Sequence, residues 1–265
     1  MIQRMLASAL FAGCAAGLLA ALLHFAFVQN ILLLAEEYES GTLVHFPGAQ
    51  PADAGHDHGA AAEPSATEPA ADTDATAEEG HSHAAGTPEH QHSAPGGEDS
   101  QVKRNALTVV FMVLVYVAYA MMLVAAYALA ANFGITVSPR DGLLWGIAGF
   151  LAFQLAPAMG LAPELPGTVA ADLGERQVWW WSTVFATMAG LGLLAWGRTF
   201  VTALAAGALL AAPHVIGAPE IDGYFGVAPP EVAATFAARV LGTALVVWAA
   251  LGWMTARLWA TDRQT

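Results

Sequence analysis

The chain has 265 residues, 56% of them from the set AVILMFWYC and only 12% charged, with a formal net charge of −13. A soluble domain carries about 25% charged residues. The composition therefore excludes an ordinary soluble fold, and the negative balance argues against a nucleic-acid partner, which needs a basic face. One cysteine, Cys14, excludes an intrachain disulfide and any zinc or iron–sulfur site built on several thiolates of this chain.

The first apolar run extends from Met5 to Leu34, with a break expected near Gln29–Asn30. Arg4 before an apolar stretch resembles a secretory signal, and Phe11 to Cys14 resembles an imperfect lipoprotein cleavage site. The run continues to Val28, well past a signal core of about 7–15 residues, so an uncleaved membrane helix is expected. Gly13 and Gly17 form a G-x-x-x-G pair that permits close helix packing. Near the far end of this helix lies His24.

Residues 35–105 differ sharply from the rest. They hold fourteen acids, two bases (Lys103 and Arg104) and seven of the nine histidines, in a background of Ala, Gly, Pro, Ser and Thr. Such a segment cannot bury enough apolar surface to offset chain entropy and reads as a disordered, acidic, His-rich loop. Three His-x-His pairs stand in it: His56 and His58, His81 and His83, His90 and His92. Neutral imidazole is a good ligand for Zn, Ni, Co and Cu near pH 7. Acids alone would keep a loop soluble, so the paired histidines point to metal capture at several weak sites.

Five further apolar runs follow: Ala106 to Ala131, Gly142 to Leu161, Trp179 to Trp196, Thr199 to Ile216 and Ala233 to Trp259. Each reaches the roughly 17–25 residues of a membrane helix. The expected fold is an all-α integral membrane bundle of six transmembrane helices, divided as 1–34, the loop 35–105, and the bundle 106–265. Only Gly197-Arg198 separates the fourth run from the fifth, so five spans is the alternative, with one long broken helix there.

Six spans with the N-terminus inside put Arg4, Arg140, Arg198, Arg257 and Arg263 on the inner face. Lys103, Arg104, Arg176 and Arg239 fall outside, a weak positive-inside bias, and the His-rich loop falls outside with them. Trp179, Trp180 and Trp181 open the fourth span, as expected of an interfacial aromatic belt.

Polar groups within the apolar runs are few. His24, Gln154 and His214 lie about 28, 18 and 22 Å along their spans at 1.5 Å per residue. Carboxylates follow the same helix ends: Glu36 and Glu37, Glu164, and Glu220. Together these seven residues outline an entrance where a hydrated divalent cation could exchange water for imidazole and carboxylate. Pro157, Pro163 and Pro166 near one end, and Pro213 and Pro219 near another, interrupt helix where non-helical backbone is tolerated if it lines a cavity or is buried in protein. No P-loop is present, so the chain is no P-loop ATPase, and no nucleophile–base set suggests an enzyme. A bis-His haem or quinone protein built on His24 and His214 is a weaker reading, as is a membrane metal sensor or buffer that moves no ion.

The chain resembles the CbtA family, the membrane subunit of a proposed bacterial cobalt transporter. The resemblance rests on Ala35-Glu-Glu-Tyr-Glu39, the His-rich loop, Ala162-Pro-Glu-Leu-Pro-Gly167, Arg176 ahead of Trp179-Trp180, and Pro213-His-Val-Ile-Gly-Ala-Pro219. It implies cobalt import across the bacterial cytoplasmic (inner) membrane, linked to cobalamin synthesis. Co²⁺ is then the transported ion, no cofactor is tightly bound, and a small single-span His-rich subunit of the CbtB type is the partner. It also implies about five spans rather than six.

Overall fold

In the computed structural model of the chain, residues 2–45, 98–223 and 225–264 are described. They form helices α1 (Ile2–Leu23), α2 (Gln29–Glu39), α3 (Glu98–Asn132), α4 (Pro139–Phe150), α5 (Ala156–Ala158), α6 (Leu173–Trp196), α7 (Phe200–Ile216) and α8 (Pro230–Gln264). A π turn, His24–Val28, joins α1 to α2, and a second, Leu151–Leu155, joins α4 to α5. The result is six rods. Among the described residues there is no strand, only an isolated bridge between Thr168 and Gly226. The six histidines of the His-x-His pairs lie outside the described residues.

Five rods are long and apolar enough to cross a membrane, and α7, at 17 residues, is a shorter apolar helix. The link at Gly197-Arg198 resolves into a hairpin rather than a broken helix. Gly197 caps α6, Thr199 and Thr202 cap α7 reciprocally, and α7 returns along α6 with Leu210 and Ala206 at Gly190.

The helices outrun the apolar stretches that mark them. α2 continues to Glu39, α3 begins at Glu98 and α8 at Pro230, so helix replaces part of what reads as loop at 35–39 and 98–105. Hydropathy marks where hydrocarbon ends, whereas a helix can continue into water with its charges hydrated. Arg239 and Arg257 stand about 27 Å apart along α8, and positions 4 and 24 about 30 Å apart along the first rod, each close to the hydrocarbon thickness. Beyond these levels, the ends of α2, α3 and α8 project as a collar on the side of residues 40–45 and 98, here called the loop end.

Close glycine contacts set the packing. A methyl group on Gly13 or Gly17 would strike the α3 backbone at Val117 or Val113, so α1 and α3 touch through the expected G-x-x-x-G pair. A second contact joins α4 to α8: side chains on Gly142, Gly146 or Gly252 would collide across that crossing. An aromatic core fills the space between the rods. Trp248 is 2% exposed, stacks on Phe153 with centroids 5.8 Å apart, and meets Tyr119 at 4.5 Å. Tyr127, fully buried, donates to the Gly252 carbonyl at 3.2 Å.

The two π turns have different origins. Pro157 lacks an N–H, and in an α-helix its ring would collide with the Phe153 carbonyl; widening the preceding turn relieves that clash. No proline lies near His24–Val28.

Candidate entrance at the loop end

The collar is closed by two connections that pack on one another. After α5, Leu161 N–H donates to the Pro157 carbonyl and the chain extends through Ala162 to Pro166. Leu165 is buried in a small apolar cluster with Val28, Ile31, Ala35 and Phe236, which ties this segment to α2 and α8. Gly167 has φ +76° and lies against the Val227 side chain and Glu39, a position that an L side chain rarely adopts. Val169 N–H then donates to the Phe225 carbonyl at 3.2 Å. Asp172 caps α6, its Oδ1 accepting from the N–H groups of Gly174 and Glu175.

The end of α7 completes the arrangement. Pro213 is buried inside the helix, and Gly217, with φ +90°, stops it. Trp179 Nε1 donates to the Pro213 carbonyl at 3.2 Å, and the His214 ring meets Trp179 edge to face with centroids 6.1 Å apart. A methyl at Gly160 would strike both Trp179 and Ala218. Beside Trp179 an open cleft of about 820 Å³ runs between α6 and α7, lined by Asp172, Glu175, Val178, Ser182, Pro213 and Ile216 among others.

The candidate residues thus share one end of the bundle without converging on one point. Among the described residues, no three His, Cys, Asp or Glu side chains gather closely enough to hold a metal ion. Glu164 accepts from Arg176 Nη2 at 2.8 Å, and Glu36 pairs with Arg104 at 3.2 Å. Two of the expected carboxylates are therefore partnered by arginine in this structure. Glu37 and Glu220 are exposed. His24 is half-buried in the first π turn, edge to face with Phe25, and Gln154 is half-buried in the second. His24 and Gln154 thus both stand where helix geometry departs from α, a feature common at functional sites.

Arg104, Asn105, Gln29 and Arg239 also organise this end, and sequence spacing did not place them in the site. Gln29 Nε2 donates to Asn105 Oδ1 at 3.1 Å, and Arg239 Nη1 to the Phe27 carbonyl at 2.9 Å. Their polarity within or beside apolar runs was the available signal; their partners, distant along the chain, were not.

A family model described as a probable cobalt transporter subunit, CbtA, matches residues 2–260. The chain belongs to the CbtA family. Segments 162–167 and 213–219 build the cap around the start of α6. No curated protein and no solved structure matches the chain. With five helices long enough to span, in a family described as probable cobalt transporter subunits, this is a multi-pass membrane protein.

Proposed function

We propose that the chain imports cobalt across the bacterial inner membrane, with the N-terminus inside and the loop end facing outward. The supporting observation is that both ends of the His-rich segment, residues 45 and 98, leave the bundle at the end that carries Glu36, Glu37, Glu164, His214 and Glu220. The paired histidines His56/His58, His81/His83 and His90/His92 capture Co²⁺ from dilute solution and raise its concentration at that mouth. His214, Gln154 and His24 then exchange for water as the ion enters. A small single-span His-rich subunit of the CbtB type completes the transporter. The ion is cargo, and the chain carries no tightly bound cofactor and catalyses no covalent step.

The ion pairs Glu164–Arg176 and Glu36–Arg104 hold two of the mouth's carboxylates. Their exposure and hydration make them weak enough to open for a dication. A second reading is a membrane metal buffer or sensor that binds ions on the paired histidines of the loop and moves none.

Reconstitution with a cobalt-sensitive dye inside liposomes separates the two, with any partner subunit co-reconstituted. Transport predicts inward flux, reduced several-fold by His214→Phe, which keeps the ring packing on Trp179 but removes the imidazole ligand. Deleting residues 53–95 should slow uptake chiefly at low cobalt. Binding without flux supports the buffer reading, and unchanged flux in His214→Phe removes His214 from the path.

A further inference from the structure

One π turn has a cause in its own sequence, Pro157, and the other does not. At His24–Val28 the N–H of Gln29 reaches back to the His24 carbonyl, five residues earlier. The inserted residue puts nearby carbonyls out of register with the following N–H groups, which is costly near hydrocarbon unless another donor is found. Arg239, nine residues into α8, places a donor inside this turn, its Nη1 bonding to the Phe27 carbonyl at 2.9 Å. Within the described residues Arg239 has no carboxylate partner, and its side-chain hydrogen bond goes to that carbonyl.

We infer that Arg239 is a positioning residue that holds the His24–Val28 turn in its π form and so sets the rotation of the acidic segment Gln29–Glu39. The geometry makes the consequence large. Below the turn, Gly13 and Gly17 lock α1 against Val117 and Val113 with no room to slide. Annealing the turn to α must therefore be absorbed above it. A one-residue change of register in a helix with 3.6 residues per turn is a rotation of about 100°. That rotation would carry Gln29 away from Asn105 and Glu36 away from Arg104, and bring Val28 to the place of Gln29. The direction in which Glu36, Glu37 and Glu39 present their carboxylates is thus decided on α8, more than two hundred residues away in the chain.

The inference is structural and does not need the transport reading; its relevance to ion entry does. Cys14 is the sole native cysteine, so a Cys14→Ser background allows thiol crosslinking in the full-length protein in membranes. Gln29→Cys with Asn105→Cys should crosslink through a short bifunctional reagent, and Val28→Cys with Asn105→Cys should do so poorly. Adding Arg239→Met, which keeps length but removes the donor, should reverse that preference. Arg239→Lys, which restores a donor of similar reach, should return it toward the parent pattern. Arg239→Leu serves if the methionine variant does not accumulate. An unchanged preference in Arg239→Met or Arg239→Leu overturns the inference. Cobalt uptake measured on the same variants separates the two proposals: a reversed crosslink with undiminished uptake keeps Arg239 as the register residue and removes the Glu36–Glu39 segment from the entry route.

Discussion

The α4–α8 crossing and the α6–α7 hairpin are both antiparallel helix pairs, yet they are held by different means. At the crossing, backbones meet through Gly142, Gly146 and Gly252, and Trp248 and Leu251 of α8 are almost wholly buried. In the hairpin only Ala206 and Pro213 of α7 are buried, while Phe200, Val201, Leu204, Val215 and Ile216 lie largely exposed on its surface. Apolar side chains gain little by leaving lipid for protein, so tight packing between membrane helices comes from backbone approach and specific hydrogen bonds. The crossing exploits backbone approach around one strong contact. The hairpin relies on a three-residue link, the contact of Leu210 and Ala206 with Gly190, and the bond from Trp179 to Pro213.

Breaking the crossing should have the largest effect. Gly146→Leu would drive a side chain into the Trp248 carbonyl and Gly252, where backbone cannot give way. The expected loss is at least the roughly 1–3 kcal/mol of an overpacked core, read as a lower unfolding temperature in detergent. Gly207→Leu on α7, where a Cβ meets nothing within 4 Å, is the contrasting change and should leave that temperature nearly unaltered. Equal losses from the two would erase the distinction.

The hairpin should respond to Trp179→Phe. This removes the donor to Pro213, whose carbonyl still accepts from Gly217 N–H, so no acceptor is orphaned. A loss of about 1 kcal/mol is expected from the bond itself, together with greater protease access at 217–229, measured by limited proteolysis from the loop side. The smallest effect belongs to Glu164→Gln. Its pair with Arg176 is partly exposed, and such pairs contribute about 0–1 kcal/mol. Stability should barely change while cobalt uptake shifts; a large fall in stability with uptake preserved would make Glu164 a structural residue of the cap.

Much of the fold was legible because a membrane imposes a local rule. Apolar runs of sufficient length marked every rod, the glycine pair Gly13 and Gly17 marked the α1–α3 contact, and the link at Gly197-Arg198 marked a reversal. The motif segments 162–167 and 213–219 lie together at the loop end, around the start of α6. Their roles were less legible. Leu165, Gly167, Pro213 and Gly217 build the cap itself, and Glu164 is partnered by an arginine twelve residues later in the chain. The helix ends were misread by several residues at Glu39, Glu98 and Pro230, because helix continues where hydropathy stops.

Composition and run length alone determined that this chain lies in a membrane and where its apolar rods run, leaving open only whether the chain reverses at Gly197-Arg198, since each follows from the free energy of moving one stretch of chain between water and hydrocarbon. Tertiary structure alone decided which carboxylates are partnered, why one π turn forms without a proline, and how the acidic helix end is rotated. Those outcomes depend on contacts such as Arg239 to Phe27 and Gln29 to Asn105, which join segments far apart in the chain and leave no trace in the local pattern of either.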